Sequence, residues 1–195
     1  MSLVVEEQGQ HIVTLWINGR ALPIVQERAI EVINAAEGNV VHYAQCADAN
    51  DAKAAVEAAA AAFPAWSTSS YIYRREILLE FANIVERRSD EIDALQTIET
   101  SSMLGYGAMG SILASRALRE IASSISRVLT GEIPPSEDDQ RAFVMKQAIG
   151  PVLLISPWNN PLILGSRSIG AALAAGCTVV LKASELSPKT YCLVH

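Results

Sequence analysis

A chain of 195 residues, half of them hydrophobic and 18% charged, can bury one sizeable core and is too apolar to stay disordered. Its formal net charge of −6 repels phosphate backbones, which excludes nucleic acid as a partner. Its three cysteines, Cys46, Cys177 and Cys192, are widely spaced, with no CxxC pair and no Cys/His cluster, so neither a disulfide framework nor a zinc or other metal site is signalled.

The first twenty residues, MSLVVEEQGQHIVTLWINGR, place acidic side chains where a secretory leader needs basic ones, and they hold no long apolar core. The longest apolar region, 150–181, is interrupted by Asn159, Asn160, Arg167 and several Ser and Gly, so no membrane span is expected. A reducing, cytoplasmic setting is the expectation. The first 45 residues read as short strands. LWINGR alternates Leu15 and Ile17 and carries Asn18-Gly19, a strong hairpin signal, and NVVHYAQCA fits another strand.

An Ala-rich helix is predicted from about Ala49 to Ala65. Asp48 is its N-cap, Asp51 stands in the capping-box position, Val56 and Phe63 share a face, and Pro64-Ala65-Trp66 ends the pattern. A packed helix is the reading here, against mere low complexity. A second helix runs from about Tyr71 to Arg87, with Ile77, Leu78, Phe81, Ile84 and Val85 at helical spacing. Ser89, followed by Asp90 and Glu91, is read as the cap of a third helix ending at Thr100. Gly105 and Gly107 break the chain. A fourth helix then carries Ile112, Leu113, Leu118, Ile121 and Ile125 inward.

The period changes near Arg127. Residues 127–150 read as two extended segments joined by an acidic, Pro-containing loop, Pro134 to Gln140, which by pattern alone is a surface hairpin. Val152 to Ile155 is a continuous apolar run, suited to a strand buried on both faces of a parallel sheet. In the turn that follows, Pro161 fits the first helical position and Asn160 the N-cap. Leu162, Ile163, Ile169 and Leu173 face inward, Gly176 closes the helix, and Thr178 to Leu181 forms the next strand. The result is a βαβ unit, in which ligands sit beyond the C-terminal strand ends. Two chemically loaded positions fall there: Trp158-Asn159 after the first strand, and Lys182 to Glu185 after the second. An acid there can accept both ribose hydroxyls of an adenosine. No G-x-G-x-x-G is present. By residue type and spacing alone the pair is either a nucleotide site or a solvated strand end, with Asn159 a turn residue.

The whole string, Pro157-Trp158-Asn159 coupled to AAGCTVVLKASE and ending in Lys182-Ala183-Ser184-Glu185, resembles the aldehyde dehydrogenase superfamily. PLILGSRSI and KASELSPKT resemble most closely its salicylaldehyde and vanillin dehydrogenase branch. LWINGR, the helix ending in Phe63-Pro64-Ala65-Trp66 and the stretch Arg75 to Leu79 are similar to the N-terminal part of that family. The resemblance implies an α/β fold, a Rossmann-like parallel βαβ unit preceded by helices and a β-hairpin arm. It implies NAD-dependent oxidation of an aldehyde, an aromatic one in that branch, to a carboxylic acid. A Cys thiolate attacks the aldehyde, an Asn amide and a backbone N–H hold the oxyanion, and a Glu-activated water releases the acid.

Carried onto this sequence, the resemblance makes Asn159 the oxyanion donor. It makes Ile155, Ser156, Pro157 and Trp158 the lining of the cofactor cleft, and places Lys182, Ser184 and Glu185 at the cofactor. The carboxylate at 185 favours NAD over NADP. Residues 127–150 match the family's oligomerisation arm, which implies a homo-oligomer or association with a full-length homologue. The implied division is 1–126, strands and helices of the cofactor domain; 127–150, the arm; 151–195, the incomplete start of the NAD-binding core. Asn160 and Ala183 depart from the family's usual Phe and Pro, and Asn160 makes the turn more polar. Cys177 and Cys192 do not occupy the nucleophile's place, so the catalytic Cys and Glu are expected to be absent and the chain to be the front part of a longer enzyme. The alternative is a truncated, non-catalytic paralogue that binds a nucleotide or a partner.

Overall fold

In the computed structural model, which describes residues 4–7 and 10–193, the N-terminal segment forms strands as expected. β1 (Val4–Glu7), β2 (Gln10–Val13), β5 (Ala29–Ile33) and β6 (Val40–Gln45) make one sheet in the order β1-β2-β6-β5. Only β2 and β6 run parallel. Between them in sequence, β3 (Trp16–Ile17) and β4 (Arg20–Ala21) form a separate hairpin. Its turn residues Asn18 and Gly19 have φ of 53° and 70°, the two positive values that a type I′ turn requires. Val13, Val32 and Ala44 form a small core on the four-stranded sheet, against which Cys192 packs from the far end of the chain.

α1 (Ala49–Ser67) begins in a complete capping box. Asp48 accepts the Asn50 and Asp51 N–H groups at 2.8 and 2.9 Å, and Asp51 accepts the Asp48 N–H at 3.0 Å. The helix runs through Pro64 and ends at Ser67, two residues past the expected Ala65. Proline removes one helical hydrogen bond; here Trp66 Nε1 donates to Leu173 O at 3.2 Å and holds the last turn down. Val56 is exposed, and Ala59 is the buried position of the face.

In α2 (Tyr71–Arg87), capped by Ser70, and α4 (Tyr106–Val128) the inward stripes are narrower than the sequence suggests. Leu78, Ala82 and Val85 are buried while Ile77 and Ile84 are exposed; Leu118, Ala122 and Ile125 are buried while Ile112 and Leu113 are exposed. Alanines at the centre of each stripe let the two helices approach closely, and that approach turns the flanking large residues outward. Between them, α3 (Ser89–Thr100) starts at Ser89, which is its first helical residue and not its cap. Arg88 takes the cap position without a side-chain capping bond and pairs instead with Glu91 at 2.9 Å.

Gly105, at φ +87°, starts α4. Gly107 does not break the chain; it lies inside α4, where a Cβ would sit 2.6 Å from Asp93 Cα. Asp93, on the buried face of α3, accepts N–H groups from Gly105, Gly107 and Ala108 at 2.8–3.2 Å. It thereby satisfies the orphan amides of the first turn of α4.

β7 (Val152–Ile155), α5 (Pro161–Ala174) and β8 (Val179–Lys182) form the βαβ unit, with β7 and β8 parallel and Ile155 opposite Lys182. Gly176, at φ +87°, follows α5 as expected. β8 lies one residue later than expected, and Thr178 just before it ties the strand to α1 through a 2.8 Å bond to Ala59 O. The expected burial on both faces is not found: Leu153 and Ile155 are 63% and 72% exposed, because the described helices cover one face only. The extended pair within 127–150 is pinned at one point, a bridge between Glu132 and Val144. α4 reaches Val128, so the pair begins later than Arg127.

The ends of α1, α4 and α5 meet around Arg74 and Lys146. Arg74 Nη1 donates to Ser69 O at 3.0 Å and Lys146 Nζ to Val128 O at 2.6 Å. Among the described residues no carboxylate pairs with the buried Arg74, and its Nε has no hydrogen-bond partner there.

Asp93→Ala leaves three amides near α4 without their acceptor, and is expected to lower unfolding free energy by about 2–4 kcal/mol. Gly107→Ala forces α3 and α4 apart, at a cost of about 1–3 kcal/mol. Urea unfolding measures both, and a change below about 0.5 kcal/mol in either would contradict this packing.

Candidate functional site

The ladder between β7 and β8 continues one step past the strands, with Ser156 N–H donating to Lys182 O at 3.2 Å. The turn 156–160 and the segment 182–185 therefore leave the sheet side by side at its C-terminal edge, where open α/β sheets bind ligands. Ile155, Ser156 and Pro157 on one side and Lys182, Ser184 and Glu185 on the other are brought together in this way. The apolar surfaces of Ile155 and Trp158, 72% and 48% exposed, stand on the first side.

The two asparagines of the turn have opposite surroundings. Asn159 is exposed, and its amide has no partner among the described residues. Asn160 is buried, and its side chain makes no capping bond although the residue holds the N-cap position before Pro161. It points instead at α4, into space left by Gly110, where a Cβ would lie 2.9 Å from Oδ1. Its Oδ1 has no partner among the described residues. The extra polarity expected of Asn160 is thus directed into the α4–α5 interface.

The turn is held from below by Tyr191, whose hydroxyl donates to Pro157 O at 2.5 Å. The ring packs on α5 at Gly165, where a Cβ would come within 2.9 Å of it. Burial pushes the Tyr191 hydroxyl up to about 12, against a smaller opposing effect of a hydrogen bond with Ser156. It stays protonated, and so remains a donor, throughout the neutral range.

On the β8 side, Lys182 Nζ lies 3.3 Å from Glu185 Oε2, and both side chains are largely exposed. The Glu185 carboxyl is held below its ordinary range by a bond to its own backbone N–H and then by Lys182. Ser184 is buried and closes the turn: its Oγ accepts the Leu186 N–H at 3.2 Å and its carbonyl accepts the Ser187 N–H at 3.3 Å.

Two supporting residues escape the sequence reading, Tyr191 and Glu99. Glu99 is buried in α3, and its Oε1 accepts the Lys189 N–H at 2.8 Å. Its Oε2 accepts the Thr190 N–H at 2.8 Å and the Thr190 hydroxyl at 2.5 Å. His42 Nε2 lies 2.9 Å from Oε1. The available signal was polar residues on a helix row that periodicity makes inward: Ile92, Asp93, Gln96 and Glu99 are the buried residues of α3.

The site as described offers a hydrogen-bond donor, an apolar wall and a Lys–Glu pair, but no nucleophile. Cys46 is exposed, Cys177 buried, and the Cys192 thiol is pushed up to about 12, first by burial and then by Glu99. Among the described residues no group of three or more His, Cys, Asp or Glu is placed to hold a metal ion, and no helix is long and apolar enough to cross a membrane.

The sequence matches the model of the aldehyde dehydrogenase family over residues 24–195. It is 40% identical over 182 residues to a vanillin dehydrogenase of Pseudomonas sp. (strain HR199 / DSM 7063), covering 93% of this chain and 38% of that protein. The structure superimposes on a salicylaldehyde dehydrogenase from Pseudomonas putida G7, complexed with salicylaldehyde, with a TM-score of 0.88 at 28% identity, covering 93% of this chain and 37% of that one. PnpE from Pseudomonas sp. WBC-3, solved in complex with nicotinamide adenine dinucleotide, gives a TM-score of 0.88 at 31% identity with the same coverage. The NADP(+) succinate-semialdehyde dehydrogenase GabD of Escherichia coli (strain K12) is 34% identical, over 88% of this chain and 36% of its own length. The chain thus spans less than two fifths of the relatives it matches.

Tyr191→Phe removes the bond that supports the 156–160 turn and leaves the Pro157 carbonyl without that partner. An unfolding free energy lower by about 1–2 kcal/mol is expected in urea; an unchanged midpoint would show that the turn does not need it.

Proposed function

This chain belongs to the aldehyde dehydrogenase family, and from that premise we propose that the protein containing it oxidises an aldehyde to a carboxylic acid with NAD as hydride acceptor. The observation that carries the reading is an unpartnered, exposed Asn159 amide at the same sheet edge as the Lys182–Glu185 pair. In this reading the Asn159 Nδ2–H donates to the aldehyde oxygen as negative charge develops on it, which lowers the barrier to nucleophilic attack. Ile155 and Trp158 cover the apolar side of the cofactor and exclude water. Glu185 accepts the ribose hydroxyls and Lys182 adds a donor beside them. When bound, NAD supplies the hydride acceptor. No cysteine of the chain lies at the turn, so neither the nucleophile nor the base that activates water is assigned among these residues.

The fit to a dinucleotide rests on these side chains themselves: an anionic acceptor, a cationic donor and exposed apolar surface at strand ends. The Glu185 carboxylate repels a 2′-phosphate, which favours NAD, while Lys182 beside it moderates that preference. Relatives of both kinds exist, as the PnpE complex and the NADP(+)-named GabD illustrate. The vanillin and salicylaldehyde enzymes support an aromatic aldehyde as substrate. Residues 127–150, with exposed Ile133, Phe143 and Met145, are proposed as the arm of a homo-oligomer, and 151–195 as the start of the cofactor-binding core. Three free thiols fit a cytoplasmic setting.

In the whole protein, Asn159→Ala is expected to lower kcat by about 10²–10³ with KM for NAD within about twofold. Acid formation from an aromatic aldehyde at the wild-type rate in this variant would refute the role. Glu185→Gln is expected to raise KM for NAD roughly tenfold and to shift the NADP:NAD ratio of kcat/KM toward NADP; an unchanged ratio would remove Glu185 from the ribose site.

A further inference from the structure

We infer that Glu99 is a positioning residue for the cofactor: from inside α3 it fixes the segment that presents Glu185 to the ribose. The inference rests on the proposed ribose role of Lys182 and Glu185, and goes beyond it to what holds them in place.

The segment after β8 has little intrinsic order. α6 (Pro188–Cys192) is five residues long, too short to be stable by itself. Its N-cap residue, Ser187, makes no side-chain capping bond, and the buried Ser187 Oγ has no partner among the described residues. Pro188 brings no N–H. The first amides of the helix, Lys189 and Thr190, are taken by Glu99, one to each carboxylate oxygen, at 2.8 Å each. The carboxylate thus does from another helix what a local cap would do. The Thr190 hydroxyl adds a third donor at 2.5 Å.

Glu185 therefore lies between two fixed points. On one side the β7–β8 ladder holds Lys182. On the other, Glu99 holds Lys189 and Thr190. The residues between are closed by the Ser184–Ser187 turn, so the chain has little slack with which to reorient Glu185. His42 Nε2, on β6, lies 2.9 Å from Glu99 Oε1 without a hydrogen bond between them. Tyr191, in the same short helix, holds the Pro157 carbonyl through a bond of its own. One buried carboxylate thus fixes the Glu185 side of the site without touching it.

A merely structural role for Glu99 would change stability and leave cofactor recognition intact. The whole protein distinguishes the two in a cycle of Glu99→Gln, Glu185→Gln and the double variant, with NAD dissociation constant, KM for the aldehyde and kcat at saturating NAD as readouts. Glu99→Gln keeps the side-chain volume but puts an amide N–H against backbone donors. It is expected to weaken NAD on the order of tenfold, with aldehyde KM and kcat within about twofold. In the Glu185→Gln background the same change is expected to add less than about twofold, because Glu99 acts through Glu185.

Three outcomes overturn the inference: wild-type NAD affinity in Glu99→Gln, a full additive effect in the double variant, or a loss of thermal stability and kcat with NAD affinity unchanged. Wild-type affinity in Glu185→Gln would instead overturn the ribose reading, and this inference with it. Thr190→Val, which removes one donor at nearly constant volume, gives the same decision if Glu99→Gln does not fold. A weakening of about threefold supports the role, and none rejects it.

Discussion

The inward face of α3 carries two carboxylates, and both are spent on the backbone of other helices. A buried charge is costly unless hydrogen bonds replace its water. Asp93 meets that condition with amides of Gly105, Gly107 and Ala108, and Glu99 with those of Lys189 and Thr190. These contacts fix where α4 begins and where α6 begins. α4 then supplies Leu118, Ala122 and Ile125 to the core shared with Leu78, Val85 and Leu162, and that core seats α5 under the βαβ unit. α3 thus joins the helical layer to the sheet edge.

The site follows from that placement. α6 is a short link whose ring, Tyr191, reaches the turn after β7 and whose start is tethered to α3. Around it the molecule leaves exposed a polar amide at Asn159, a Lys–Glu pair, and apolar surface at Leu153, Ile155 and Trp158. Such a combination suits a ligand with a flat apolar part and a hydroxyl-rich part. It also agrees with family members that use nicotinamide dinucleotides. β7 keeps Leu153 and Ile155 exposed because the described helices cover one side of the sheet only.

Features set by neighbours in sequence were legible. The Asp48–Asp51 capping box, the Asn18-Gly19 turn, Pro161 at the start of α5 and Gly176 at its end each depend on a few adjacent residues. Features set by distant contacts were not. Ile77, Ile84, Ile112 and Leu113 satisfy helical periodicity, but the rotation of each helix is decided by which small residues its partner presses against. Gly107 read as a break because its local penalty is visible, whereas the Asp93 it packs against lies 14 residues away. Asn160 has the right residue type for a cap, and only the gap at Gly110 explains why its side chain turns inward. Trp158-Asn159 and Lys182–Glu185 were singled out by their place beyond the strand ends of the βαβ unit, and their roles only by the family's wording; Glu99 showed only as a polar residue on the inward row of α3, and Tyr191 carried no local sign.

The most direct measurement is a crystal structure of the whole protein with NAD bound. The expected result has both oxygens of the Glu185 carboxylate within hydrogen-bond distance of the adenosine ribose hydroxyls, Lys182 beside them, and Glu99 still bonded to the amides of Lys189 and Thr190. A dinucleotide bound away from this sheet edge, or one bound here with the Glu99 contacts broken, would contradict the central claim that α3 holds the cofactor segment in its binding conformation.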